Sequence, residues 1–197
     1  NEQLYYYNIA ESYFILEKYK FAKKYYTKVL SFNEENIDVL FKLGLISNIL
    51  HEFADAELFF LESIYCNAKS KELLFQLGLA YGGQKKYLQA LEAFKEALTY
   101  SLDDPILRYQ IGVVYQELEI YDLAILSYEK YLTKKSDDAI VYRMVGECFL
   151  ELKDFIQAIE YFKISSNMFN NNDIKSLYLL GIAHMELNNY EDAAKIF

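Results

Sequence analysis

The chain has 197 residues, 53% hydrophobic and 25% charged, which suits one folded domain or a short solenoid and argues against disorder. Its net charge of −9 comes with basic residues scattered among acidic ones, so no Lys/Arg stripe suits nucleic acid or an anionic membrane surface. One proline and only seven glycines leave little room for long loops or β-turns, and the composition reads as all-helical.

Taken in chain order, the predicted elements repeat. Small residues stand at Ala10, Gly44, Gly78, Gly112, Gly146 and Gly181, with steps of 34 throughout except a final 35. Twelve residues after each comes alanine: Ala22, Ala56, Ala90, Ala124, Ala158 and Ala193. Four further on comes an aromatic: Tyr26, Phe60, Phe94, Tyr128, Phe162 and Phe197. A second aromatic column, nine after the small residue, is Tyr19, Phe53, Tyr87, Tyr121, Phe155 and Tyr190. The period predicts helical hairpins over 3–36, 37–70, 71–104, 105–138, 139–173 and 174–197, forming a single solenoid domain over 1–197.

In each hairpin the first helix fills roughly the first 14 residues, and a short turn leads to the second. The small residue and the alanine let the two helices approach, and the aromatics are expected to fill the gaps between consecutive hairpins. Pro105 suits a first helical turn, preceded by Asp103-Asp104. Ser136-Asp137-Asp138 and Asn171-Asn172-Asp173 supply similar caps. The extra residue before Gly181 falls in that Asn-rich turn, where insertion costs little.

These columns resemble the tetratricopeptide repeat family over the whole chain. With the small residue as position 8, the family's Leu-Gly pair is present as Leu43-Gly44, Leu77-Gly78 and Leu180-Gly181, with Ile111-Gly112 and Val145-Gly146 as close variants. The family's tyrosine three residues later is Tyr13, Tyr81, Tyr115 and Phe149, while Ser47 and His184 depart. Position 4, often Trp in the family, holds Tyr6, Leu40, Leu74, Arg108, Tyr142 and Leu177, and the proline near the repeat end is missing.

The resemblance implies an all-α, right-handed superhelical solenoid that acts as a protein-binding scaffold. First helices would line the concave surface through positions 2, 5, 9, 12 and 13. Position 5 is Tyr7, Phe41, Phe75, Tyr109, Arg143 and Tyr178; position 9 in the middle repeats is Leu45, Leu79 and Val113. This aromatic and aliphatic ladder would suit a partner's peptide or amphipathic helix. Each buried side chain would contribute roughly 1.5–3 kcal/mol before ordering costs. The alternative is that part of the ladder packs between neighbouring helices. Arg143 and Glu147, spaced i, i+4, are expected to pair with each other rather than meet a ligand. Gly82-Gly83 either end their helix early or open a notch beside Phe75 and Leu79 for a ligand backbone. The lysine and asparagine set with which some family members grip acidic chaperone C-termini has no counterpart here.

Catalysis finds little support. His51 falls in a turn, and His184 sits in a core column with one hydrogen bond expected. Neither has a second ligand at metal spacing, no phosphate loop or nucleophile motif occurs, and no cofactor is implied. Acid pairs Glu34-Glu35, Asp103-Asp104 and Asp137-Asp138 recur at junctions and read as helix capping. Cys66 and Cys148 read as small apolar residues in a helical core. No run of about 18 apolar residues is present. The chain starts without methionine and stops inside a helical pattern, so an excerpt of a longer protein is expected, with an exposed apolar end. The compartment stays open, tilting toward the cytoplasm. Two other readings stand: a structural protein that self-associates through terminal repeats or groove, and the regulatory arm of an enzyme or of a secretion or envelope machine.

Overall fold

A computed structural model describes residues 2–169 and 173–197. Among them are twelve α-helices and no strand. In chain order they are α1 (Glu2–Ile15), α2 (Tyr19–Leu30), α3 (Ile37–Ile49), α4 (Phe53–Tyr65), α5 (Lys71–Gly83) and α6 (Tyr87–Thr99). Then follow α7 (Pro105–Glu117), α8 (Tyr121–Leu132), α9 (Ala139–Glu151), α10 (Phe155–Met168), α11 (Ile174–Glu186) and α12 (Tyr190–Ile196). Two compact units contain three hairpins each, residues 1–102 and 103–197.

Local chemistry explains where the helices begin. The residue before each of α3, α5, α7, α9 and α11 caps it with a side-chain oxygen: Asn36, Ser70, Asp104, Asp138 and Asp173. Asp104 accepts from the backbone N–H of Ile106 at 3.0 Å and of Leu107 at 3.3 Å, ahead of Pro105, which has no N–H to satisfy. Capping thus accounts for the second acid of two pairs, Asp104 and Asp138. At Glu34-Glu35 the expectation fails, because the neutral Asn36 is the cap. Asn171 and Asn172 lie outside the described residues, while Asp173 caps α11.

Second helices begin at the aromatic column: Tyr19, Phe53, Tyr87, Tyr121, Phe155 and Tyr190 are their first residues. Of these helices only α10 has a side-chain cap, from Asp154. The turn before each contains one left-handed residue: Glu17, His51, Lys85, Glu119, Lys153 or Asn188, with φ between 56° and 61°. None of the six is glycine. His51 is exposed in such a turn, as expected, with Phe53 at its edge.

The core explains the 34-residue columns. A Cβ placed on Gly44 would meet the Phe60 ring at 2.5 Å, on Gly78 the Phe94 ring at 2.5 Å, and on Gly112 the Tyr128 ring at 2.5 Å. Gly146 with Phe162 and Gly181 with Phe197 repeat the arrangement. The aromatic therefore lies first of all on the glycine of its own hairpin. In unit 1, Phe60 then packs on with Leu73, Leu77 and Ala80 of the next first helix, so one ring serves both contacts. In unit 2, Phe162 does the same with Leu180 and Ala183. Cys148 and His184 are both buried. His184 departs from expectation in one respect: among the described residues its buried Nδ1 has no hydrogen-bond partner.

Candidate functional site

First helices of successive hairpins lie against one another: α3 touches α5 in unit 1, and α9 touches α11 in unit 2. In unit 1, Phe41, Leu45, Phe75 and Leu79 are half-buried, as are Tyr109 and Val113 in unit 2. Position-5 rings stand against the aromatic that begins nineteen residues later. Ring centroids are 5.9 Å apart for Phe41 and Phe60, 5.8 Å for Phe75 and Phe94, and 6.2 Å for Tyr109 and Tyr128. Tyr7 with Tyr26 and Tyr178 with Phe197 continue the series, both at 6.0 Å. One side of each ring is thus core packing, and Tyr178 remains 56% exposed.

Beside these rings lie clefts at the hairpin junctions. In unit 1 a cleft of about 590 Å³ is lined by Ile37, Asp38, Phe41, Lys69, Glu72 and Leu73, among others. In unit 2 one of about 270 Å³ is lined by Ile106, Tyr109, Tyr131, Asp138, Ile140 and Val141. They occupy equivalent places in the repeat: the start of one first helix, the cap residue of the next, and that helix's first turn. Burial and the bond that Tyr131 donates to Asp138 at 2.7 Å push the Tyr131 hydroxyl up to about 12.

Polar networks flank the ladder. In unit 1, Tyr7 donates to Asp38 at 2.7 Å, and Lys42 donates to Tyr7 at 3.0 Å and to Glu11. Tyr26 also donates to Glu11. Burial favours the neutral acid at Glu11, but the bonds from Lys42 and Tyr26 outweigh it and hold the carboxyl below its usual range. Tyr7 is therefore part of a satisfied cluster and not an open contact.

In unit 2, Arg143 does more than pair within its helix. Its Nε lies 3.5 Å from Glu147, a contact without hydrogen-bond geometry, while its terminal nitrogen donates to Asp173 at 3.1 Å. Lys175 approaches Glu147 at 2.7 Å. The expected i, i+4 pair is present within an ion network that joins α9 to the cap of α11. Burial works against ionisation of Asp173, and bonds from Ser176 and the backbone, together with the Arg143 charge, overcome it and lower its pKa.

Gly82 and Gly83 do not end α5 early, since the helix reaches Gly83 and has the same length as α7. They differ from each other. A Cβ on Gly83 would strike the Phe53 ring at 2.6 Å, whereas one on Gly82 would meet nothing within 4 Å. Gly82 thus leaves open space beside α5. Sequence reasoning missed Asp38, Lys42, Glu72 and Tyr131, although Asp38 and Glu72 occupy position 2, one of the groove positions.

Family models described as "Tetratricopeptide repeat" match residues 4–36 and 75–139. A third, "Anaphase-promoting complex, cyclosome, subunit 3", matches residues 119–197. The chain belongs to the tetratricopeptide repeat family. Proteins of this family are typically non-enzymatic interaction scaffolds, and the family match supports a protein–protein interaction scaffold for this chain.

Solved structures share the all-α helical repeat fold. MamA is 23% identical, with TM-score 0.78, over 84% of this chain and 91% of that one. YrrB, described as "a TPR protein with an unusual peptide-binding site", is 16% identical with TM-score 0.78, over 87% and 88%. PilW, described as a "widely conserved type IV pilus biogenesis factor", is 16% identical with TM-score 0.75, over 100% and 90%. No curated protein sequence matches the chain significantly. Among the described residues, no helix of this tetratricopeptide repeat protein is long and apolar enough to cross a membrane. No group of three or more His, Cys, Asp or Glu could hold a metal ion there.

Proposed function

We propose that this chain is a scaffold that holds a peptide or amphipathic helix of a partner protein on the faces formed by its first helices. The observation that carries this reading is the pairing of a half-buried position-5 ring with an adjoining cleft, Phe41 in unit 1 and Tyr109 in unit 2. The inner side of each ring is fixed by the core, so little conformational entropy remains to be lost when a partner covers the outer side. YrrB, a structural neighbour with a peptide-binding site, is consistent with such a role. The contacts assigned to the partner are Phe41, Leu45, Phe75, Leu79, Tyr109 and Val113, with Gly82 admitting backbone.

Affinity capture with the wild type and a Phe41→Ala/Phe75→Ala/Tyr109→Ala variant tests this, once circular dichroism has shown that both fold. A protein retained by the wild type and lost by the variant supports the reading. Equal capture by both would assign the ladder to core packing and defeat it.

A second reading is self-association through the terminal hairpin, favoured by the exposure of Ile174, Tyr178 and Phe197 on α11 and beside α12. Sedimentation over a wide concentration range separates it: a concentration-independent monomer removes self-association.

A further inference from the structure

We propose that the unit 1 face accepts an apolar segment bearing net positive charge and rejects an acidic one; this rests on the peptide-binding reading above. Among the described residues, Lys42 lies on this face and Lys69 lines its cleft, and both are already paired. Lys42 donates to Glu11 and Tyr7 and stands 3.5 Å from Asp38. Lys69, at the cleft, is paired with Glu96 of α6. Glu72, which lines the same cleft and is exposed, has no hydrogen bond or ion pair among the described residues. Asp38 also lines it, held by the Tyr7 hydroxyl.

An incoming carboxylate would thus meet a wall whose free charge is negative and whose lysines have partners to surrender. An incoming lysine or arginine beside an apolar anchor would place its charge toward Glu72 while the anchor enters between Ile37, Phe41 and Leu73. The equivalent cleft of unit 2 has the same sign, since Asp138 is its one charged lining residue among those described.

The test uses the whole chain and two labelled 15-residue synthetic amphipathic peptides. Both have Leu and Phe at i, i+3, i+4 and i+7; one has Lys and Arg at the other positions, the other Glu. Fluorescence anisotropy at low and moderate salt should show the basic peptide binding at least about tenfold tighter, with a gap that narrows as salt rises. Glu72→Lys should weaken the basic peptide about fivefold, whereas Glu62→Lys, an equal charge change on α4 and away from this cleft, should leave it nearly unchanged.

Equal affinity for both peptides, abolished by Phe75→Ala, would overturn this inference and leave the groove reading standing. Preference for the acidic peptide, or equal losses from Glu72→Lys and Glu62→Lys, would overturn it in the same way. Binding of neither peptide would defeat both readings. A dimer that forms with concentration and excludes the peptide would make a second copy the occupant and overturn the proposal.

Discussion

The ring of Phe94 lies on Gly78 so closely that a methyl group at Gly78 would come within 2.5 Å of it. Four residues along the same helix, Gly82 has nothing within 4 Å of that position. One substitution should therefore have opposite signs on one helix. Gly78→Ala overpacks the core and should cost about 1–3 kcal/mol. Gly82→Ala should gain up to about 1 kcal/mol of helix propensity. Urea unfolding of the two variants checks this, and a destabilised Gly82→Ala protein would contradict the open space seen there.

The hairpin turns store strain that can be relieved. Lys85 and Lys153 adopt left-handed backbone at φ 59° and 61° with a side chain attached. Replacing either by glycine removes a Cβ penalty of about 1–2 kcal/mol and adds freedom to the unfolded chain, for a net gain of about 0.5–1 kcal/mol. Asn188→Gly should gain less, because asparagine tolerates this region. Melting curves of the three single variants give the comparison.

Acid should loosen both units. Glu11 and Asp173 are held below their ordinary values of 4.5 and 3.8. Between the folded and unfolded pKa the unfolded chain binds more protons, so stability rises with pH across that interval. The contribution is complete above the ordinary values and is lost as pH falls through the lower folded ones. Urea midpoints measured from pH 6 down to pH 3 should fall accordingly. Lys42→Met should flatten the part due to Glu11; parallel profiles for the two proteins would show that the pairing does not set the slope.

The two thiols should differ in reactivity. Burial first, and then the charges of Glu147 and Glu151, push the Cys148 thiol up to about 12, while Cys66 is only partly buried. A thiol-reactive chromophore at pH 8 should modify Cys66 quickly and Cys148 only as the structure opens. Rapid double modification of native protein would contradict the burial of Cys148.

How far the sequence could be read depended on the range of the interaction. Helix starts at Ile37, Lys71, Pro105 and Ala139 were legible because small residues recur at a fixed step, with acidic caps readable only before the last two; the caps Asn36 and Ser70 went unread. The fate of Gly83 was not legible, because Phe53, thirty residues earlier, decides it. Arg143 and Glu147 could be paired from their spacing, yet Asp173 comes from the following hairpin, and only packing brings it to Arg143. For the candidate site, position 5 pointed to Phe41 and Tyr109. The acidic rim at Asp38 and Glu72 was not legible, because the charge left on that face depends on Lys42 and Lys69 pairing with Glu11 and Glu96 on other helices.

The bond from Lys42 to Tyr7 spans 35 positions, and it is the longest reach in sequence among those described above. Partners about one hairpin away, like those described, spare the chain from closing a large loop before contacts reward it. During synthesis each hairpin would find its neighbour as soon as the next 34 residues emerge, without waiting for the far end. Folding should accordingly be quick and able to begin at more than one place, and opening should proceed hairpin by hairpin. Amide exchange would register this as graded protection along the chain instead of a single cooperative value.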